Sequence, residues 1–252
     1  MAALVLPQRR KAQPQYPIGV DWGNPLSTGL LVLANGGIGF GGGITGYSLT
    51  NLVSGIPFTY STQNSQALIN SVLNEGSAIS FIGSHALTSE TLKNIGTGDF
   101  TDFWYGYPVE TPLGTSRPCF LIGSDNNLTG IAQFGGSNNG AGSTSVDTVI
   151  TWATTWITSG FVAPLNSKLF VVSTRLAGIQ YLYINGVLYG STTNSTNIGA
   201  QKLVLGSFLP ANTFWADSNK TLCAGRFGRG LAASEALSLS VNPWQLFSPR
   251  LT

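Results

Sequence analysis

From about residue 29 to residue 225 the chain is a succession of short apolar runs separated by clusters of Gly, Asn, Ser and Thr. That is the spacing of many short strands in a β-sandwich or barrel, where turn residues punctuate β-prone segments. No internal repeat of fixed period runs through it. One hairpin is explicit. In YLYINGVLYG (181–190), Asn185-Gly186 separates two β-prone runs, and Asn-Gly tolerates the positive φ that a type I′ turn needs at both central positions. The predicted register sets Ile184 opposite Val187, Tyr183 opposite Leu188 and Leu182 opposite Tyr189. Both faces carry large apolar groups, which fits a strand pair covered by a second layer.

A length of 252 residues accommodates one large all-β domain. The hydrophobic fraction of 42% supplies a core, whereas only 9% of residues are charged, against roughly 25% in an ordinary soluble domain. A surface made mostly of Gly, Ser, Thr, Asn and Gln favours a subunit of an assembly. The net charge of +2 is too small to point to nucleic acid.

Residues 1–25 differ in character from the rest of the chain. They hold Pro7, Pro14, Pro17 and Pro25 with the basic triplet Arg9, Arg10 and Lys11. Proline fixes φ and removes a donor, so the segment reads as an extended arm, with 26–252 as the sandwich. The triplet and Tyr16 are the candidate partner-binding residues of that arm. MAALVLPQRRK places its apolar residues before the basic ones, the reverse of a secretory signal. No apolar stretch reaches the ~18 residues of a membrane span. The expectation is a soluble chain made inside a cell without export.

One helix is expected near the end. LAASEALSLS (231–240) is rich in Ala and Leu, with Leu231, Leu237 and Leu239 available to pack, and Pro243 stops it by Val241 or Asn242. Glu235 supports its first turn through the helix dipole. PWQLF (243–247) then offers Trp244, Leu246 and Phe247 as an apolar plug.

Three segments, in order, carry a family resemblance: GTGDFTDFWYGYPV (96–109), KLFVVSTRLAGIQYLYINGVLYGSTT (168–193) and RFGRGLAASEALSLSVNPWQLFSPR (226–250). Together they resemble the laminin-G-like branch of the concanavalin-A-like superfamily over roughly 75–247. The resemblance implies an all-β, two-sheet antiparallel jelly-roll sandwich with a short C-terminal helix, behind the extended arm. Ala232 stands where the family often has a capping Ser, which weakens the helix start by ~1 kcal/mol. QRRKAQPQYPIGVDWGNPLSTGL (8–30) with NPWQLFSPR (242–250) is similar to laminin-G-like proteins of tailed bacteriophages and prophages. That narrower resemblance implies a virion component: a capsid decoration or minor capsid protein, or part of a tail fibre. Its partners would be the major capsid protein or other virion subunits. A homotrimer follows by analogy alone.

The superfamily includes glycoside hydrolases, whose retaining members need two carboxyl groups about 5–5.5 Å apart. The four glutamates, Glu75, Glu90, Glu110 and Glu235, have no carboxylate two positions away. His85 is the only histidine, and no nucleophile elbow, phosphate loop or zinc spacing accompanies it. The expectation is therefore of no enzyme, no catalytic residue and no cofactor. For calcium, SDNN (124–127) and ADSN (216–219) offer only Asp125 and Asp217, single-carboxylate loops that read as ordinary turns. Cys119 and Cys223 leave two readings open, buried thiols or one bridge.

Carbohydrate recognition is the alternative, because sugars stack their apolar faces on exposed rings. Trp104 is assigned to a core strand, and Trp152 and Trp156 in TWATTWIT, four apart, share a face if that run is one strand. Trp215, among polar residues in NTFWADSN, is the candidate for sugar contact. Surface glycans are the corresponding partner.

Overall fold

A computed structural model of the chain describes residues 13–14, 18–36, 49–62, 69–73, 76–80, 85–108, 119–125, 129–134, 148–153, 155–162, 164, 166–206 and 220–249. The strands in chain order are β1 (Ile18–Val20), β2 (Leu30–Asn35), β3 (Thr59–Thr62), β4 (Ile69–Leu73), β5 (Gly76–Ser80) and β6 (His85–Thr88). They continue with β7 (Phe100–Tyr107), β8 (Cys119–Ser124), β9 (Gly130–Phe134), β10 (Thr148–Ala153), β11 (Thr155–Val162) and β12 (Leu169–Leu176). After β13 (Ile179–Ile184), β14 (Val187–Thr193), β15 (Leu203–Leu205) and β16 (Lys220–Phe227) come the helix α1 (Ala233–Val241) and β17 (Phe247–Pro249). Short 3-10 turns span Pro25–Ser27 and Pro243–Leu246.

The expected all-β sandwich is what forms. One sheet runs β11-β10-β9-β8-β15-β6-β3, and the other β14-β13-β12-β7-β16-β5-β4 with β2 also paired to β16. The pairings are antiparallel. Strand β7 shows why the sequence gives no simple alternation there. Its Trp104 points between the sheets, among Val171, Leu182, Ile131 and Ala224. Its Phe103 and Tyr105 point the other way, onto Phe170, Phe227 and Trp244. Both faces of β7 are core, so both parities are aromatic.

The second core exists because the chain ends form a third layer. β1 pairs with β17, Ile18 opposite Pro249 and Val20 opposite Phe247. This ribbon, α1 and the Pro243–Leu246 turn bury Ile18, Val20, Leu231, Leu239, Trp244, Leu246 and Phe247 against the back of the larger sheet. Full burial of such side chains contributes about 1.5–3 kcal/mol each. The PWQLF plug thus packs as expected. Of residues 1–25, Gln13 is buried and donates to Asn35 Oδ1 at 2.9 Å, and Ile18–Val20 is the strand just described. The first twelve residues lie outside the described set.

The hairpin holds its expected turn, with Asn185 at φ 49° and Gly186 at φ 80°. Ile184 faces Val187 and Tyr183 faces Leu188, but a bulge then places Leu182 opposite Gly190 instead of Tyr189. Nor is the pair covered on both sides, since β14 is an exposed sheet edge. TWATTWIT is not one strand. It folds back between β10 and β11, so Trp152 and Trp156 are cross-strand partners. Helix α1 ends at Val241 with Asn242 as its cap, and Leu231 and Leu239 are buried, whereas Leu237 is exposed. Ala232 supplies no side-chain cap, while the Glu235 carboxylate accepts the Ala232 N–H at 2.9 Å.

Candidate functional site

Several candidate residues fall outside the described set: Arg9, Arg10, Lys11, Tyr16, Trp215 and Asp217. Asp125 is described, and its Oδ1 accepts the N–H of Lys202, 77 residues away, at 2.7 Å, a long-range bond rather than the local turn closure expected of its loop. Among the described residues no three His, Cys, Asp or Glu are grouped to hold a metal. Cys223 is a free, fully buried thiol whose pKa burial pushes up, so the bridge to Cys119 is not formed. Trp104 is buried, with its indole N–H on Thr221 Oγ1 at 2.9 Å, as its place in β7 predicts. His85 enters β6 opposite Thr62.

Among the described residues the aromatic ring with the greatest exposure, ahead of Tyr189, is that of Trp22, at 60%. It sits in the turn between β1 and the Pro25–Ser27 3-10 turn, and local hydrogen bonds build that turn. Asp21 Oδ1 accepts the Gly23 N–H at 3.1 Å, and Asn24 Oδ1 caps Leu26 N at 3.0 Å. The C-terminal tail fastens it from beneath. Asp21 N donates to Leu246 O, and Asn24 Nδ2 donates to Gln245 O, each at 2.8 Å. Arg229 adds a clamp, donating through Nε to Thr28 O at 2.7 Å while its guanidinium pairs with Glu235 at 2.8 Å. The indole therefore projects from a backbone already held in place. An exposed flat ring beside a carboxylate can stack on the apolar face of a sugar while the carboxylate takes its hydroxyls. Trp22 was missed in the sequence, although its flanks, Asp, Gly, Asn and Pro, are all turn formers.

A second polar cluster lies inside the sandwich. Asp102 on β7 and Arg226 on β16 are register partners, and Arg226 also donates to Thr129 Oγ1 at 2.8 Å. Arg175 on β12 spreads its guanidinium over the backbone carbonyls of Gly96 at 3.0 Å, Thr196 at 2.6 Å and Gly98. The Phe100 ring lies 5.0 Å from Arg175 and 5.9 Å from Arg226. Gln180 Nε2 reaches Ser173 Oγ at 2.6 Å and Asn194 Nδ2 reaches Gln180 Oε1 at 3.0 Å. These groups are buried, and their bonds join β7, β12, β13 and β16 to the loops around Gly96 and Thr196. They hold the interior together.

No protein-family model matches the chain, and no curated protein matches it by sequence. Solved structures do match in fold. Domain 4 of AbnA, a GH43 extracellular arabinanase from Geobacillus stearothermophilus, in complex with arabinotriose, is similar at a TM-score of 0.53 and 14% identity. That match covers 76% of this chain and 92% of the domain. The Trypanosoma rangeli sialidase in complex with sialic acid is similar at a TM-score of 0.57 and 13% identity, over 85% of this chain. This chain spans only 33% of the sialidase. At these identities the likeness defines a fold class, the antiparallel two-sheet β-sandwich. The expectation that the chain is not an enzyme is corrected here, because its fold neighbours belong to an arabinanase and a sialidase. Its basis was carboxylate spacing along the chain, a lone histidine and the lack of local motifs, all blind to groups that only the fold brings together.

Proposed function

We propose that this domain binds carbohydrate at its surface, with Trp22 as the stacking platform and the Asp21 carboxylate beside it. The observation that carries the reading is the exposed indole on a turn fastened at both ends. Pre-ordering matters because a loop that must be fixed on binding gives back part of the contact energy. The arabinotriose bound by the similar arabinanase domain supports the same ligand class. Screening the full chain on a glycan array and following hits by titration calorimetry tests it. Trp22→Ala should lower affinity at least tenfold with its melting temperature unchanged. Absence of binding to any glycan would overturn the reading, as would loss in Trp215→Ala with none in Trp22→Ala.

A second reading places the chain, through its laminin-G-like and phage-like resemblance, in a tailed-phage virion. There it would be a decoration or minor capsid protein held through residues 1–12 to the major capsid protein or other virion subunits. What favours it is that the two segments carrying the narrower resemblance are one unit, Ile18–Val20 against Phe247–Pro249 and Asn24 on Gln245. A truncation must stop before Gln13, because removing β1 would unseal the back layer. Deleting residues 1–12 should leave the fold intact and strip the protein from purified particles. Unchanged particle occupancy would refute this reading.

A further inference from the structure

Asn-Gly occurs three times in the chain, at 35–36, 139–140 and 185–186. In this dipeptide the side-chain amide is readily lost, because glycine has no Cβ to obstruct ring closure. The glycine nitrogen, its proton lost to solvent, bonds to the asparagine Cγ, and ammonia leaves. Water then opens the resulting succinimide at either carbonyl, giving aspartate or isoaspartate. Asn35 is buried in β2, where its Oδ1 accepts from Gln13. The 139–140 pair lies outside the described set. Asn185 is exposed at the tip of the β13–β14 hairpin, where water reaches it.

Geometry, rather than access, restrains Asn185. Its Oδ1 accepts the Phe170 N–H at 2.9 Å, and its own N–H donates to Phe170 O at 2.8 Å. The first bond polarises Cγ toward attack, as a donor at a developing oxyanion does. What the fold withholds is the nucleophile. With Asn185 at φ 49° and Gly186 at φ 80° the turn is type I′, whose first central ψ is about +30°. That angle sets the Gly186 nitrogen nearly opposite the Asn185 Cβ, whereas ring closure needs the two on one side. Flipping the single peptide between them, to a type II′ turn, brings the nitrogen round and still leaves a two-residue hairpin.

Helix α1 stands beside that peptide. A Cβ on Gly186 would come within 2.6 Å of both Leu237 Cδ1 and Ser240 Oγ, so the glycine backbone lies against the helix with no room to turn. We infer that Asn185 is a deamidation site gated by α1, its amide lost only when Leu237 and Ser240 lift from Gly186. The carboxylate so formed would be the first charge within residues 176–201, which contain no Asp, Glu, Lys or Arg. Isoaspartate, with an extra methylene in the backbone, would no longer fit both bonds to Phe170.

Peptide mapping by mass spectrometry of the full chain, aged in mildly alkaline buffer with and without urea, tests it. Asn185 should convert at least tenfold more slowly in the folded chain than in the unfolded one. Leu237→Ala, which trims a half-exposed side chain, and Ser240→Ala should each keep the wild-type melting temperature and raise the folded rate several-fold. Asn35 should stay unconverted in both. Equal rates in the folded and unfolded chains overturn the proposal. So does a folded rate that neither variant changes, or a rise at Asn35 matching that at Asn185, since the whole fold and not α1 would then be the gate.

Discussion

Asp102 on β7 and Arg226 on β16 are joined across neighbouring strands by two parallel hydrogen bonds, Nε to Oδ1 at 2.6 Å and Nη2 to Oδ2 at 2.7 Å. Both side chains are buried. Removing one partner leaves the other charge in a low-dielectric interior, which costs about 3–5 kcal/mol. Replacing both by apolar groups removes the desolvation penalty along with the attraction. Asp102→Leu and Arg226→Met should each be strongly destabilising in urea unfolding, and the double variant should lose less than either single one. Additive losses would contradict the pairing.

Among the described residues Arg175 forms no salt bridge, although the Asp99 charge acts on it from nearby. Its donors go to the carbonyls of Gly96, Gly98 and Thr196, which tie two loops to β12. Arg175→Met should cost about 1–3 kcal/mol, since the Gly96 carbonyl keeps the Ile198 N–H and the residues around it are only partly buried. Arg175→Lys keeps the charge but cannot span three acceptors, and should fall between. Amide exchange should speed up around Gly96 and Thr196 in the Met variant.

The start of α1 has room for improvement. Ala232 has no side-chain acceptor for the free N–H groups of the first turn, so Glu235 makes only its own half of a capping box. Ala232→Ser should raise stability by ~1 kcal/mol, seen as a higher urea midpoint with an unchanged slope.

Glu235 makes the third layer acid-sensitive. Burial alone would raise its pKa, but the Arg229 hydrogen bond, the Ala232 N–H and the Arg229 charge outweigh it and hold the carboxyl below its ordinary value. A depressed folded pKa gives stability that is fully present above the unfolded value, about 4.3, and is lost as pH falls through the folded one. Melting temperature should therefore fall more between neutral pH and pH ~3 in the wild type than in Glu235→Gln. Parallel curves would show that Glu235 does not couple to the fold.

Little of the candidate site is visible in the sequence. Polar neighbours single out Trp215 in the sequence, and that residue lies outside the described set. Exposure is set by what lies above a residue in space. Trp22 stands clear because the tail, from a part of the chain more than two hundred residues away, fastens its turn from beneath.

The class of fold, the Asn-Gly turn, the aromatic strand Phe100–Tyr107 and the end of the helix before Pro243 are legible in the residues alone. Each of these is governed by the conformational limits of one or two residues, or by a run of side chains suited to a pleated surface. That the chain ends form a third layer, that β14 is an exposed edge and that Asp102 meets Arg226 emerge only on assembly. Those depend on which surfaces meet after the sheets assemble. Local preferences cannot distinguish a strand buried on both faces from an edge, because both are written with the same apolar residues.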